Sequence, residues 1–261
     1  MNKWRNFNAM TLVIMLIANT LANALPLNGK TTADISNSYP VLFTPAGYVF
    51  SIWGLIYLAL IGFTVFQALP GQQAHPRIER IAGWFGLANL LNTGWIFAWH
   101  WEILWLSVIL MLGLLACLLV IYNRLEIGLH DRINPLEQAL VDFPFSLYLG
   151  WISVATIANV SVALLAAGWN GFGVSPEIWA VVMVGIATLL GLLMVHRRNA
   201  IAYPAVLIWS FIGIRVRPDQ VEAVGAAAAV AAFILLIYLT LRMLRARQLS
   251  FLQARGDRPT D

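Results

Sequence analysis

Eight apolar runs, each close to the length that crosses a bilayer, constrain this chain more than any other feature. They cover residues 10–27, 47–69, 78–98, 103–122, 143–167, 178–195, 200–214 and 221–244. A helix needs about 20 apolar residues to span a hydrocarbon core of ~30 Å. Charged residues make up 11% of the 261 and hydrophobic ones 60%, whereas a soluble domain carries about 25% charge. Segments of ~10 residues with alternating polarity do not occur, which excludes an outer-membrane barrel. The expected fold class is therefore all-α, a polytopic membrane helix bundle.

The basic residues fix the expected orientation. With the N-terminus inside, the inner side holds Lys3, Arg5, Arg77, Arg80, Arg124, Arg132, Arg197, Arg198, Arg242, Arg245, Arg247, Arg255 and Arg258. The outer side keeps only Lys30, Arg215 and Arg217. Cationic loops stay on the cytoplasmic side, so eight crossings with both termini inside are expected. The seventh run is the short one: ~15 residues give ~22 Å at 1.5 Å per residue. Lys3 and Arg5 followed by Ala22-Asn23-Ala24 imitate a cleavable signal, but the apolar run continues to Leu27 and reads as a span. The net charge of +4 is spread singly and in pairs between spans, so no nucleic-acid partner is expected. Cys117 has no second cysteine to pair with.

The twelve carboxylates and His75, His100, His130 and His196 all fall in loops or at run ends. A charge inside a span usually marks an ion path or proton relay, and none is expected to be buried here. No metal site, catalytic constellation, phosphate loop or nucleophile elbow is recognisable.

What the spans do contain is aromatic and amide chemistry. Of the tryptophans, Trp4, Trp99, Trp101, Trp105, Trp169 and Trp179 lie near run ends, where indoles form interfacial belts. Trp53, Trp95, Trp151, Trp84 and Trp209 lie deeper. Helical spacing groups them into stripes: Phe50, Trp53 and Tyr57; Asn92, Trp95 and Trp99, with Asn89 one turn earlier; and Tyr148, Trp151, Ala155 and Asn159. Two readings stay open. The stripes pack on one another with asparagine as interhelical fastener, or they line a pocket for a large, flat, apolar ligand.

The same stripes carry a resemblance to the tryptophan-rich sensory protein and translocator protein family, the peripheral benzodiazepine receptor group. Residues 43–57, FTPAGYVFSIWGLIY, resemble its P-P-G-W-V-F…W…L-Y signature through Pro45, Gly47, Val49, Phe50, Trp53 and Tyr57, with Ala46 and Tyr48 in place of the usual Pro and Trp. Leu91, Asn92, Trp95 and Phe97 are similar to its L-N-x-x-W…F-F pattern. Residues 147–159, LYLGWISVATIAN, resemble its fifth-helix pattern through Tyr148, Leu149, Trp151, Ala155 and Asn159, with Leu147 and Ala158 departing and a proline three residues early at Pro144. The resemblance covers about residues 7–168 and implies a five-helix translocator-protein-like membrane core over 1–169. Additional transmembrane helices would follow over 170–247 and a polar tail over 248–261, as in an extended branch.

The resemblance further implies a pocket beneath the loop after the first helix that takes porphyrins, sterols or drug-like molecules. Its lining here would include Trp53, Asn92, Trp95, Tyr148, Trp151, Ala155 and Asn159. No cofactor is required on this reading, and a porphyrin or haem would be a ligand. The polar loop over 28–45 would be the lid, since long loops of this kind are often lids. Small pairs at Gly225/Ala229 and Ala228/Ala232 suit close packing within the chain or a homodimer seam. The expected partners are membrane lipid and a hydrophobic small molecule. Three functions fit: a sensor or carrier of that ligand, an uncoupled transporter of it, or a porphyrin-degrading enzyme. The absence of a general acid or base from the expected pocket argues against the enzyme.

Overall fold

The computed structural model describes residues 3–72, 75–129 and 133–256, with side chains up to residue 245. His130, Arg132 and Arg258, which entered the charge and histidine readings, lie outside the described residues. The long helices are α1 (Lys3–Ala24), α3 (Ile52–Ala68), α5 (Trp84–His100), α6 (Leu104–Arg124), α8 (Phe143–Ala166), α9 (Pro176–Arg198), α10 (Ala202–Arg215) and α11 (Glu222–Gly256). Three short ones lie between them: α2 (Thr32–Ser38), α4 (Pro76–Glu79) and α7 (Pro135–Glu137). A π-helical turn, Gln138–Asp142, joins α7 to α8. No strand occurs among the described residues.

Local chemistry sets the helix ends. The Ser175 hydroxyl accepts from the Ile178 amide at the start of α9, Pro176 occupies its first turn with Glu177, and His196, Arg197 and Arg198 fill its last turn. Asn199 then turns left-handed at φ 47° and stops it. These are the expected partners of a helix dipole and a proline start. α1 begins at Lys3, a full two turns before its apolar run. There the Arg5 guanidinium reaches back to the carbonyls of Gln67 and Gln72, which closes the end of α3. The third apolar run is not one helix. It breaks between Arg80 and Gly83, where Gly83 takes φ +81° against the Trp4 indole.

The first five long helices close a ring: α1 packs on α5, α5 on α6, α6 on α8, α8 on α3, and α3 returns to α1. The last three attach through α10, which packs on α8, α9 and α11. Two glycines permit this docking. A Cβ on Gly150 would press on the Tyr203 backbone, and one on Gly191 would collide with Leu207 and Leu235. Among the described residues six helices are long and apolar enough to cross a membrane; α10, with 14 residues, is shorter. At 1.5 Å per residue α10 is ~21 Å long. Tyr203, Pro204, Leu207, Phe211 and Ile214 are nevertheless buried among its neighbours, so protein rather than lipid covers most of it. Gly225, Ala228 and Ala232 are buried, while Ala229 is exposed. α11 packs on α9 and α10.

One expectation needs correction. Among the described residues Arg5, His100 and Asp142 are buried, each near a helix end. Asp142 is 7% exposed and pairs with Arg77 at 2.7 Å, whose guanidinium also holds Glu137 and the Leu125 carbonyl. Arg5 is buried, and His100 is fully buried with Nδ1 2.8 Å from the Ile96 carbonyl. Loop positions in sequence had concealed these groups because the loops fold back onto the helix ends. Buried charges persist where partners satisfy them, and Asp142 with Arg77 meets that condition.

Candidate functional site

The 3₁₀ turn Gly47–Ser51 leads the chain into α3 and sets Phe50, Trp53 and Tyr57 along one face. Trp53 is the hub of an aromatic cluster. Its ring stacks on Tyr57 at 5.5 Å, leans on Trp95 at 6.2 Å, and meets Tyr148 at 5.9 Å and Trp151 at 6.0 Å edge-on. Phe50 meets Trp151 at 5.6 Å, and Trp99 stacks on Trp95 at 6.0 Å. Trp99 is therefore buried in the cluster and not part of an interfacial belt. The three stripes face one another, and edge-to-face contacts of this kind add ~0.5–1.5 kcal/mol each beyond area burial.

Two asparagines tie the cluster to the ring of helices. Asn92 accepts from Asn19 Nδ2 at 2.8 Å and donates to the Tyr148 hydroxyl at 2.9 Å, joining α1, α5 and α8. Asn159 accepts from Trp95 Nε1 at 3.1 Å and donates to Ser107 Oγ at 2.8 Å, joining α5, α6 and α8. Asn19 and Ser107 escaped the sequence reading, because a lone small polar residue in an apolar run makes no stripe. Two buried polar atoms of the cluster, Trp151 Nε1 and the Tyr57 hydroxyl, have no hydrogen-bond partner.

A cavity of about 30 Å³ remains inside, and Phe50, Trp53, Trp95, Trp151, Ala155 and Asn159 border it. Tyr57, Asn92 and Tyr148, also expected in the lining, stand one layer back and reach it through Trp53 and the amide chain. The volume matches one water, whereas pockets for drug-sized ligands measure ~300–1,000 Å³. The cluster is thus closed, and Thr32, Ser36 and Pro45 of the 28–45 loop roof it.

That loop is a packed cap with a short helix of its own. Thr31 and Asp34 form a reciprocal capping box at the start of α2. On one side Lys30 Nζ lies 2.6 Å from Glu102 Oε1, Tyr39 donates to Glu102 Oε2 at 2.7 Å, and Asn28 donates to the His100 carbonyl. On the other side Arg217 donates to the Val41 carbonyl and Thr44 Oγ1, each at 2.5 Å, and Gln220 to the Leu42 carbonyl at 3.0 Å. Trp209 of α10 donates to the Val49 carbonyl at 3.2 Å. Residues far along the chain therefore fasten the roof.

Titration of the Glu102 latch has a definite sign. Hydrogen bonds from Lys30 and then Tyr39 hold the Glu102 carboxyl below its ordinary value. Burial, with the bond to Glu102 second, pushes the Tyr39 phenol up to about 12. A depressed carboxyl stabilises the fold above its unfolded pKa and loses that contribution as pH falls through the folded one. A raised phenol does so below its unfolded pKa and loses it toward the folded one. The latch should hold from about pH 5 to pH 9. Exposed pairs contribute ~0.2–1 kcal/mol, so Glu102→Gln should speed amide exchange over residues 31–41 by about two- to fivefold. The wild type should reach the same acceleration, after correction for intrinsic exchange, only outside that window. Equal exchange in both proteins at pH 7 would mean that the latch does not hold the roof.

A second, larger cavity of about 480 Å³ lies beside the first, between residues 40–43, α8 and α9. No stripe pointed to it. Its sequence signal was the Gly/Pro seam over 170–176 with a tryptophan on each side, Trp169 and Trp179. Among the described residues no group of three His, Cys, Asp or Glu could hold a metal ion.

The family model for TSPO-like proteins matches residues 5–241. The chain belongs to the TSPO-like protein family. The match runs through α10 and into α11, so the added helices fall within the region that defines this TSPO-like chain. No curated protein and no solved structure matches it. Family and apolar helices together make it an integral, multi-pass membrane protein. One departure from the family signature now has a place. Tyr48 does not border the closed cavity but meets Trp209 of α10 edge-on at 5.2 Å.

Proposed function

We propose that this TSPO-like protein binds a flat, hydrophobic molecule of the porphyrin or sterol class between the roofing loop and the aromatic cluster, as a sensor or carrier. One observation carries the reading: indoles from α5 and α8 converge on Trp53 of α3 beneath a fastened loop, and Trp151 Nε1 stays buried without a partner. An unsatisfied buried donor costs ~1–3 kcal/mol, a penalty that a ligand acceptor would relieve. Entry requires the loop to lift and the rings to part, because about 30 Å³ holds no ring system.

Quenching of intrinsic fluorescence by protoporphyrin IX tests this. Trp151→Phe should weaken binding by ~1 kcal/mol or more, about fivefold, while the fold persists. Trp105→Phe, on the exposed start of α6, should leave the dissociation constant unchanged. If Trp53→Phe, Trp95→Phe and Trp151→Phe all bind as the wild type does, after correction for the lost indole, the cluster is packing only.

On the same reading both termini lie on the cytoplasmic side, supported by the asymmetry of the basic residues. Reporter fusions at residue 170 and at the C-terminus should read outside and inside. A C-terminal fusion that reads outside would remove the crossing by α10.

A further inference from the structure

We infer that the 480 Å³ cavity is a second ligand site, for a neutral aromatic molecule that carries one hydroxyl or amine donor. The cavity exists only because α9 stands against α8 beneath residues 40–43. Of the ring of five helices that holds the cluster around Trp53, α8 alone contributes described residues to its wall.

Three features of the wall define the class of ligand. Size comes first: the volume falls within the range of drug-sized pockets, sixteen times that of the closed cavity. Charge comes second. Among the described residues no Asp, Glu, Lys, Arg or His borders the cavity, and an ionised ligand would meet no counter-charge in a low-dielectric wall. The third is the hydroxyl inventory of α8; at the rim Asn170 is exposed and its Oδ1 accepts from the Phe172 amide at 3.1 Å. Thr156 donates its hydroxyl hydrogen to the Ile152 carbonyl at 2.7 Å, and Ser161 donates to that of Ile157 at 2.8 Å. Each proton is spent on its own helix, which leaves oxygen lone pairs that accept. Trp179 spends its N–H on the Gly171 carbonyl at 2.9 Å. Trp169 lies 5.3 Å from Trp179, tilted by 51°, so flat surface stands beside the acceptors. A ring with one donor satisfies both.

The rim can yield. Phe172 closes the seam between α8 and α9 with φ +55° and is 81% exposed. A left-handed conformation at a bulky residue is strained, and this strain sits between Gly171 and Val174, which both border the cavity.

Photolabelling of the full chain in lipid nanodiscs with 4-(hydroxymethyl)benzophenone, a neutral aromatic alcohol, tests the site, with adducts mapped residue by residue. Expected are saturable adducts within residues 156–165 and 174–183, displaced by excess diphenylmethanol. Val160→Trp, which fills the cavity from a half-buried position, should cut those adducts at least tenfold. It should leave any labelling near Trp53, Trp95 and Trp151 unaltered. The double variant Thr156→Val, Ser161→Ala should cost the alcohol about fivefold in half-saturation and leave 4-methylbenzophenone, which lacks the donor, unchanged. Adducts that do not saturate, or that persist in a folded Val160→Trp protein, would overturn the assignment. Equal half-saturation of the alcohol and its methyl analogue in wild type, at equal membrane concentration, would overturn the ligand class. The loss of protoporphyrin affinity in Trp53→Phe, Trp95→Phe and Trp151→Phe reports on the other site, so either proposal can fail alone.

Discussion

Replacing Gly128 with alanine is expected to destabilise the protein by about 3 kcal/mol, one of the largest effects available from a single methyl group. Gly128 adopts φ +77°, and a Cβ there would fall into the carbonyl group of Arg198 at the end of α9. The left-handed conformation costs a non-glycine residue ~1–2 kcal/mol, and an overpacked backbone contact adds ~1–3 kcal/mol. Relief requires α9 to withdraw. Arg198 would then lose its bond to Asn123 Oδ1 at 2.5 Å and its place 5.6 Å from the Tyr122 ring. Denaturation in detergent measures the result. A change under ~0.5 kcal/mol, the range of ordinary surface substitutions, would show that the 125–129 turn and α9 do not approach this closely.

Asn159→Leu should fall on stability and spare affinity. Both polar atoms of the amide are already engaged, one by Trp95 and one by Ser107. Leucine fills similar space, but it leaves the Trp95 N–H buried without a partner. Interhelical hydrogen bonds in membranes contribute ~0.6–2 kcal/mol each, so a loss of about 1–3 kcal/mol is expected. Protoporphyrin affinity should move less than twofold. The opposite pattern, intact stability and weakened binding, would mean that the amide leaves its protein partners to hold the ligand.

The asparagines also show what the sequence could and could not tell. Spacing at i, i+3 and i+7 put Trp53, Trp95, Trp151 and their neighbours on single helix faces, and those faces do meet. Periodicity within one helix says nothing of how two helices rotate or tilt against each other. It therefore could not reveal that Asn92 and Asn159 are occupied by Asn19, Tyr148, Trp95 and Ser107. Nor could it reveal that the cluster closes to about 30 Å³. The helix count came from apolar length, yet length missed the start of α1, whose first turns are fixed by Arg5. It also missed α11 running to Gly256, where a helix leaves the apolar layer and no longer needs apolar residues. Buried Asp142 was invisible because its partner Arg77 lies 65 residues away. The larger cavity lies between segments that no local pattern connects.

The fastening of the roof has a consequence for the order in which the protein is made. Arg217 grips Thr44 across 173 residues of chain. At a synthesis rate of ~5–20 residues per second, that separation takes roughly 10–35 seconds to emerge. For most of that interval α1, the loop and α3 already exist, while the α10–α11 turn does not. The mouth of the bundle is held from neither side until Glu102 emerges, and from the Glu102 side alone after that. A newborn chain consequently passes through a stage in which its aromatic interior is accessible to whatever the surrounding lipid contains, and once the last hairpin arrives that access requires the fastened loop to lift.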